Sequence, residues 1–140
     1  MLESIETTAI SFATAHELVG LAIEEGARQG VRVVATVADP SLLLVAFGKA
    51  DGATPHSVET SRRKALTAAS TRRPTGWMSA SFAVEAPIAT GSLLTNILGG
   101  VPIRVGGRHL GGLGIAGGAP EQDAAIAAAV LALAGAEPID

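Results

Sequence analysis

The sequence predicts an α+β sandwich in which helices pack on a central antiparallel sheet. Segments rich in β-branched and apolar residues occur in two pairs, each joined by a short turn, and segments of helical period separate the pairs. A length of 140 residues fits one domain with its own core. We therefore expect a single domain over residues 1–140 with the element order α-β-β-α-α-β-β-α.

The first half of the chain predicts a helix followed by a hairpin. Apolar residues at spacings of three and four, with His16 among them, predict a helix over residues 12–29 that Gly30 ends. Residues 31–39 and 42–48 then predict two strands joined by an Asp-Pro-Ser turn. Residues 2–10 are compatible with an additional edge strand.

A cationic helix over residues 56–73 is the most informative part of the chain, and Pro74 ends it. Together with Lys49, this segment holds six of the ten basic residues of a chain whose net charge is −3. The basic residues of the helix are Arg62, Arg63, Lys64, Arg72 and Arg73. Some of these basic residues lie on the same face of the helix as alanines, which is unusual for a solvated face. They therefore either bind an anionic ligand, or extend to solvent or form salt bridges across a subunit contact.

The second half predicts a short helix over residues 75–85, a mobile connection over 86–96, and a second hairpin over 99–107 and 109–118. The many glycines of the last strand predict bulges or a close approach by another backbone or a ligand. A final helix is predicted over residues 120–135, with Pro120 at its first position. This helix has no polar side, which predicts burial against a second subunit and hence a homo-oligomer.

Composition excludes several classes of protein. The chain has no cysteine, so disulfides, thiolate metal sites and thiol catalysis are excluded. A pI near 5.6 and few aromatic residues argue against nucleic acid as a partner. No apolar run is long enough to span a membrane and no leader is recognisable, so we expect a cytoplasmic protein without a membrane partner. The three histidines have no metal-ligand spacing, so no metal site is predicted.

Few residues are candidates for catalysis. Lys64, with its pKa lowered among neighbouring cations, is a candidate general base, and His109 and Asp39 are further acid or base candidates. The arginines would then hold a substrate carboxylate. Residues 112–117 spell G-x-G-x-x-G, but no strand follows to complete a dinucleotide-binding unit, which favours a packing role for these glycines.

Several motifs in the same order resemble the GlcG/HbpS family, whose domain is also the C-terminal part of PduO-type corrinoid adenosyltransferases. The resemblance covers residues 18–133. Its motifs are Val37-Ala38-Asp39, Leu44-Val45-Ala46-Phe47, Asp51-Gly52-Ala53, residues 63–68, Pro74-Thr75, residues 99–103, residues 111–118 and Glu121-Gln122-Asp123. The resemblance implies an α/β domain with an antiparallel sheet that assembles into oligomers, and some members of the family bind or degrade haem.

We therefore expect the protein to bind a small anionic ligand. Haem or another tetrapyrrole is the first candidate for this ligand, and haem is the candidate cofactor. The alternative is a cofactor-independent isomerase or lyase that acts on a small carboxylate by proton transfer. Carboxylates of a haem would meet Arg62, Arg63, Arg72 or Arg73. Each histidine is a candidate axial ligand, as is Met78. The expected apolar walls are Phe47, Trp77, Met78 and Phe82, and His56, near the start of the cationic helix, is expected to hydrogen-bond or ligate as a neutral ring.

Overall fold

The computed structural model describes residues 1–139 and confirms the predicted α+β fold. Within these residues the chain forms four helices and four strands in the predicted order. The elements are α1 (Phe12–Arg28), β1 (Val34–Ala38), β2 (Leu44–Lys49), α2 (Ser57–Thr71), α3 (Ala80–Ala89), β3 (Gly100–Val105), β4 (Arg108–Ala116) and α4 (Pro120–Ala134). Asp140, the last residue of the predicted domain, lies outside the described residues.

The strands form one antiparallel sheet in the order β2-β1-β4-β3. Each predicted hairpin supplies one edge strand and one central strand. The two hairpins meet where β1 pairs with β4, from Val34 opposite Ala116 to Ala38 opposite Gly112. This central pairing brings the end of β4 beside the start of β1.

The helices cover both faces of the sheet. Helix α2 packs against β4, β1 and β3 on one face of the sheet. Helices α1 and α4 contact each other and pack on the opposite face. The main core lies between α1, α4 and the sheet and includes Leu18, Val37, Leu113, Ile126 and Val130, all fully buried or nearly so. Burying each such side chain stabilises the fold by roughly 1.5–3 kcal/mol.

Glycines in β4 determine how closely α2 approaches the sheet. Successive side chains of a strand point to opposite faces. Leu113 and Ile115 therefore join the main core, while Gly112 and Gly114 lie under α2. A Cβ atom on Gly112 would overlap the carbonyl oxygen of Ala65, and one on Gly114 would overlap that of Ser61. The close backbone approach predicted from the glycine content is thus confirmed.

The buried face of α1 differs from the predicted stripe. The helix buries small residues such as Ala15, Ala22 and Gly26 beside Leu18 and Val19. His16, which the sequence places among the apolar residues at helical spacing, is exposed and lies outside the core, with its ring centroid 5.6 Å from that of Phe12. The predicted buried face, which was based on the larger side chains, is rotated by about one residue from the observed face. The reason is that alanine and glycine in a sequence indicate burial only weakly.

The prediction is wrong about one strand and about the position of one helix. Residues 2–10 form no strand, although Ile10 N–H donates to the carbonyl of Leu110 at 3.0 Å. Helix α3 covers residues 80–89 rather than 75–85, so part of the predicted connection is helical. Thr75 is held at the sheet by hydrogen bonds with Gly100, and the Ser79 hydroxyl accepts from Phe82 N–H to start α3 five residues later than predicted. Pro87 lies within α3.

Candidate functional site

Two adjoining clefts open at the N-terminal end of α2. The inner cleft, of about 260 Å³, lies between the start of α2, the end of β4 and the start of α4, and Lys64 and Asp123 line it. The outer cleft, of about 310 Å³, lies between α2 and the segment that follows α3. His56, Thr60 and Ile97 line both clefts. The two clefts therefore form one continuous candidate site.

A buried ion pair lies in the inner cleft. Lys64 Nζ donates to Asp123 Oδ2 at 3.0 Å and to the carbonyl of Ile115 at 2.8 Å, and both charged side chains are 2% exposed. The second oxygen of Asp123 accepts from Gly118 N–H at 2.9 Å. Burial lowers the pKa of Lys64, and the neighbouring carboxylate of Asp123 partly opposes this shift.

Glycines make room for this lysine. A Cβ atom on Gly99 would lie only 2.9 Å from Lys64 Nζ, and one on Gly100 would overlap the carbonyl oxygen of Lys64. The backbone of Gly99 has a φ of +126°, a conformation that residues with side chains rarely adopt. The lysine side chain can therefore cross between α2 and the sheet to reach Asp123 on α4.

The first two arginines of α2 face the solvent side of the helix. Arg62 Nε and Arg63 Nε donate to the carboxylate of Glu59 at 3.1 and 3.0 Å, and all three side chains are about half exposed. The two guanidinium groups lower the pKa of Glu59 to about 2, and the carboxylate raises the pKa of Arg62. Arg63 lines the outer cleft, whereas Arg62 does not.

His56 immediately precedes α2 and is exposed. Its side chain makes no capping hydrogen bond to the helix. The outer cleft places this imidazole in the same depression as Pro87, Leu94 and Ile97, with Arg63 on the helix side. The outer cleft therefore combines an exposed imidazole, apolar walls and a guanidinium group paired with the Glu59 carboxylate.

The other predicted ligand-binding residues lie elsewhere. Arg72 and Arg73 follow α2, roughly 15 Å along the helix axis from Arg62. Arg73 stacks on Trp77 at 4.5 Å, and Trp77 lies 5.9 Å from Phe82, so these three form a separate exposed cluster. Met78 is buried, and its N–H donates to the Asn96 side chain. Phe47 lies on β2, the edge strand farthest from β3.

The three predicted acid or base residues are not brought together. Asp39 accepts hydrogen bonds from Ser41 N–H and Leu43 N–H, and it adjoins Gly111. Lys64 instead contacts Ile115, roughly 13 Å farther along β4. In this geometry Asp39 stabilises the turn between β1 and β2, and Lys64 forms its ion pair with Asp123.

His109 lies near the C-terminal end of α2. Its Nε2–H donates to the carbonyl of Ala69 at 2.8 Å, while its buried Nδ1 has no hydrogen-bond partner among residues 1–139. Burial lowers the pKa of His109, as do the charges of Arg72 and Arg104, while the bond to Ala69 raises it. The ring is therefore held as a neutral imidazole away from both clefts.

Sequence reasoning missed Asp123 as the partner of Lys64. In the first turn of a helix such as α4, an acidic residue is ordinarily explained as a favourable charge at the helix N-terminus, a role that many acidic residues fill. The burial of Asp123 at 2% distinguishes it from Glu121 in the same turn, which is exposed. The sequence offers one sign that α4 is buried: the helix carries no charged residue after Asp123.

Two further observations concern metal clusters and membrane-spanning helices. Among residues 1–139 no three histidine, aspartate or glutamate side chains cluster to hold a metal ion. No helix in that part of the chain is both long and apolar enough to cross a membrane. The cytoplasmic location stays a prediction.

Comparisons with known proteins agree on one family. A family model described as "Haem degrading protein HbpS-like" matches residues 10–132. No curated protein matches the sequence significantly. Among solved structures, a double mutant of Streptomyces reticuli HbpS is 26% identical, with 93% of this chain and 90% of that chain covered and a TM-score of 0.83.

Two other structures extend the comparison. A complex of PduOC with haem is 26% identical, with 95% of this chain and 100% of that chain covered and a TM-score of 0.85. Klebsiella pneumoniae protein ORFY is 22% identical, with 96% of this chain and 97% of that chain covered and a TM-score of 0.86, a likeness of fold alone.

Proposed function

Because the chain belongs to the family described as haem degrading protein HbpS-like, we propose that it binds haem or another anionic tetrapyrrole in the outer cleft. The observation that carries this proposal is His56, an exposed imidazole at the boundary of the two clefts. An imidazole nitrogen is a common axial ligand of haem iron. The related PduOC structure was determined as a complex with haem, which supports the same class of ligand.

The residues of the outer cleft fit the other parts of a haem. Pro87, Leu94 and Ile97 offer apolar surface to a flat ring, and Arg63 offers a guanidinium group to a carboxylate. A volume of about 310 Å³ is at the lower end of the ~300–1,000 Å³ that small-molecule pockets span. The ring would therefore be held with one edge exposed to solvent. A bound haem supplies iron-centred redox chemistry, while these side chains bind, orient and partly shield it.

A titration with haemin, followed by visible absorption, tests the proposal. We expect a saturable Soret shift that His56→Ala abolishes. His16→Ala and His109→Ala are matched controls, because His16 is exposed on α1 and His109 lies at the other end of α2. A saturable shift that survives His56→Ala, or no saturable shift at all, would overturn the assignment.

We also propose that the chain self-associates, as the apolar α4 predicted. Helix α3 adds support, because Phe82, Val84 and Ile88 are exposed and Ala86 is its one buried residue. Apolar helix surface of this kind is typical of a subunit contact. Light scattering should give a mass that is a multiple of 14.0 kDa, and introducing a charge with Ile88→Glu should lower it. A monomer at all concentrations would refute the proposal.

A further inference from the structure

We propose that Lys64 is a nucleophile that forms an imine with a small carbonyl compound in the inner cleft. This activity goes beyond tetrapyrrole binding and does not rest on it. It would take place in the inner cleft beside Asp123, whereas the proposed haem contacts lie in the outer cleft.

The geometry gives the Lys64 amine both a reaction space and a proton acceptor. Lys64 lines the inner cleft although it is only 2% exposed, so a molecule that enters the cleft contacts a lysine which bulk solvent scarcely reaches. Gly99 packs against the amine, because a Cβ atom there would lie 2.9 Å from Nζ and 2.5 Å from the carbonyl oxygen of Ile115. Ile115 and Asp123 accept two of the three ammonium hydrogens, which leaves one without an acceptor among residues 1–139.

The electrostatics favour the neutral amine that attack on a carbonyl requires. Burial lowers the pKa of Lys64 more than the Asp123 carboxylate raises it. Lysines desolvated in this way are the usual Schiff-base nucleophiles. Asp123 Oδ2, at 3.0 Å, is placed to accept the proton that the ammonium loses.

The reaction balances without an external oxidant or reductant. Asp123 takes one ammonium proton, and the amine lone pair then forms a bond to the carbonyl carbon while the C=O π electrons move to oxygen. The resulting carbinolamine loses that oxygen as water, with both hydrogens of the water derived from the amine, one of them returned through Asp123. The product is a protonated imine, whose positive charge keeps its ion pair with Asp123, so no unpaired charge is left buried.

Packing alone gives weak grounds for a lysine here. A buried ion pair often stabilises a fold no more than apolar residues of similar volume. Four groups nevertheless converge on this amine: Asp123, the Ile115 carbonyl, Gly99 and, through the Asp123 carboxylate, Gly118. A desolvated ionisable group with a specific charge partner in a cleft is a candidate for a chemical role.

Reductive trapping of the haem-free protein tests the inference. The protein is incubated with pyruvate and sodium cyanoborohydride at neutral pH, and the adducts are mapped by peptide mass spectrometry. The chain has two lysines, so the exposed Lys49 is an internal control. A lowered pKa raises the fraction of neutral amine at neutral pH. We therefore expect Lys64 to carry most of the label and Lys49 the smaller share.

Two variants and one condition complete the test. Lys49→Met should leave the labelling of Lys64 unchanged, and Lys64→Arg should abolish the major adduct. If Lys64→Arg does not fold, the map of the unsubstituted protein still decides. Labelling of Lys49 and the N-terminal amine without Lys64, or labelling of Lys64 only in urea, would overturn the inference. Because haem is absent from this assay, its outcome is independent of the haemin titration.

Discussion

The buried ion pair makes a quantitative prediction about Asp123. Asp123→Ala removes the carboxylate that Lys64 Nζ meets at 3.0 Å and that also accepts from Gly118 N–H. Lys64 would then be a buried cation without a counter-ion. Breaking a buried pair by removing one partner costs about 3–5 kcal/mol. We expect a loss of that size in the free energy of unfolding, measured by urea denaturation.

Three comparisons make this prediction specific. Glu121→Ala is the matched control, because Glu121 is an exposed acid in the same helical turn, and it should change stability by less than about 0.5 kcal/mol. The double variant Lys64→Met/Asp123→Leu should recover most of the loss, since it leaves no buried charge. Equal losses for Asp123→Ala and Glu121→Ala would refute the reasoning.

The third comparison is with pH. The pKa of Lys64 is lower in the folded state than in the unfolded chain. Between the pKa of Lys64 in the folded state and about 10.5, the unfolded state therefore binds more protons than the folded state. The free energy of unfolding should consequently increase as pH rises through that window. Asp123→Ala removes the partner that holds the proton, which should widen the window towards neutral pH. A stability profile parallel to that of the unsubstituted protein would contradict this.

Three further predictions follow from other contacts. Gly114→Ala should lower the free energy of unfolding in chemical denaturation by about 1–3 kcal/mol or more, because the new Cβ atom would overlap α2. Gly20→Ala is the control: its Cβ atom would meet no atom within 4 Å, so this substitution should stabilise α1 by about 0.5–1 kcal/mol. The pKa of His109 is lowered, so stability should fall as pH drops from about 6.5 through the folded value, and His109→Gln should fall less in unfolding curves at pH 7.5 and 5. Glu59→Gln frees two arginines from a half-exposed pair worth roughly 0–1 kcal/mol, so haemin affinity measured by absorption should rise by at most about fivefold.

Local patterns in the sequence predict most of the fold. The two hairpins follow from short turns between β-branched segments, and the caps and periods of α1, α2 and α4 place those helices within one or two residues. The start of α3 depends instead on hydrogen bonds between Thr75 and Gly100, 25 residues apart. The pairing of β1 with β4 is likewise a long-range contact that no local pattern reports.

The candidate site is less accessible to sequence reasoning for the same reason. The cationic helix and the importance of Lys64 are visible in the sequence, and so is the possible role of His56 at the helix start. The partner Asp123 is 59 residues away from Lys64, and Pro87 and Leu94 come from a segment predicted as a connection. Only the packing of α2 onto the glycines of β4 brings these groups together.

The most direct test of haem binding in the outer cleft is a crystal structure of the protein grown with haemin. We expect a ring nitrogen of His56 to coordinate the iron, with the macrocycle against Pro87, Leu94 and Ile97 and a carboxylate near Arg63. A haem held by another residue, or bound at the exposed cluster around Trp77, would contradict the assignment of the outer cleft.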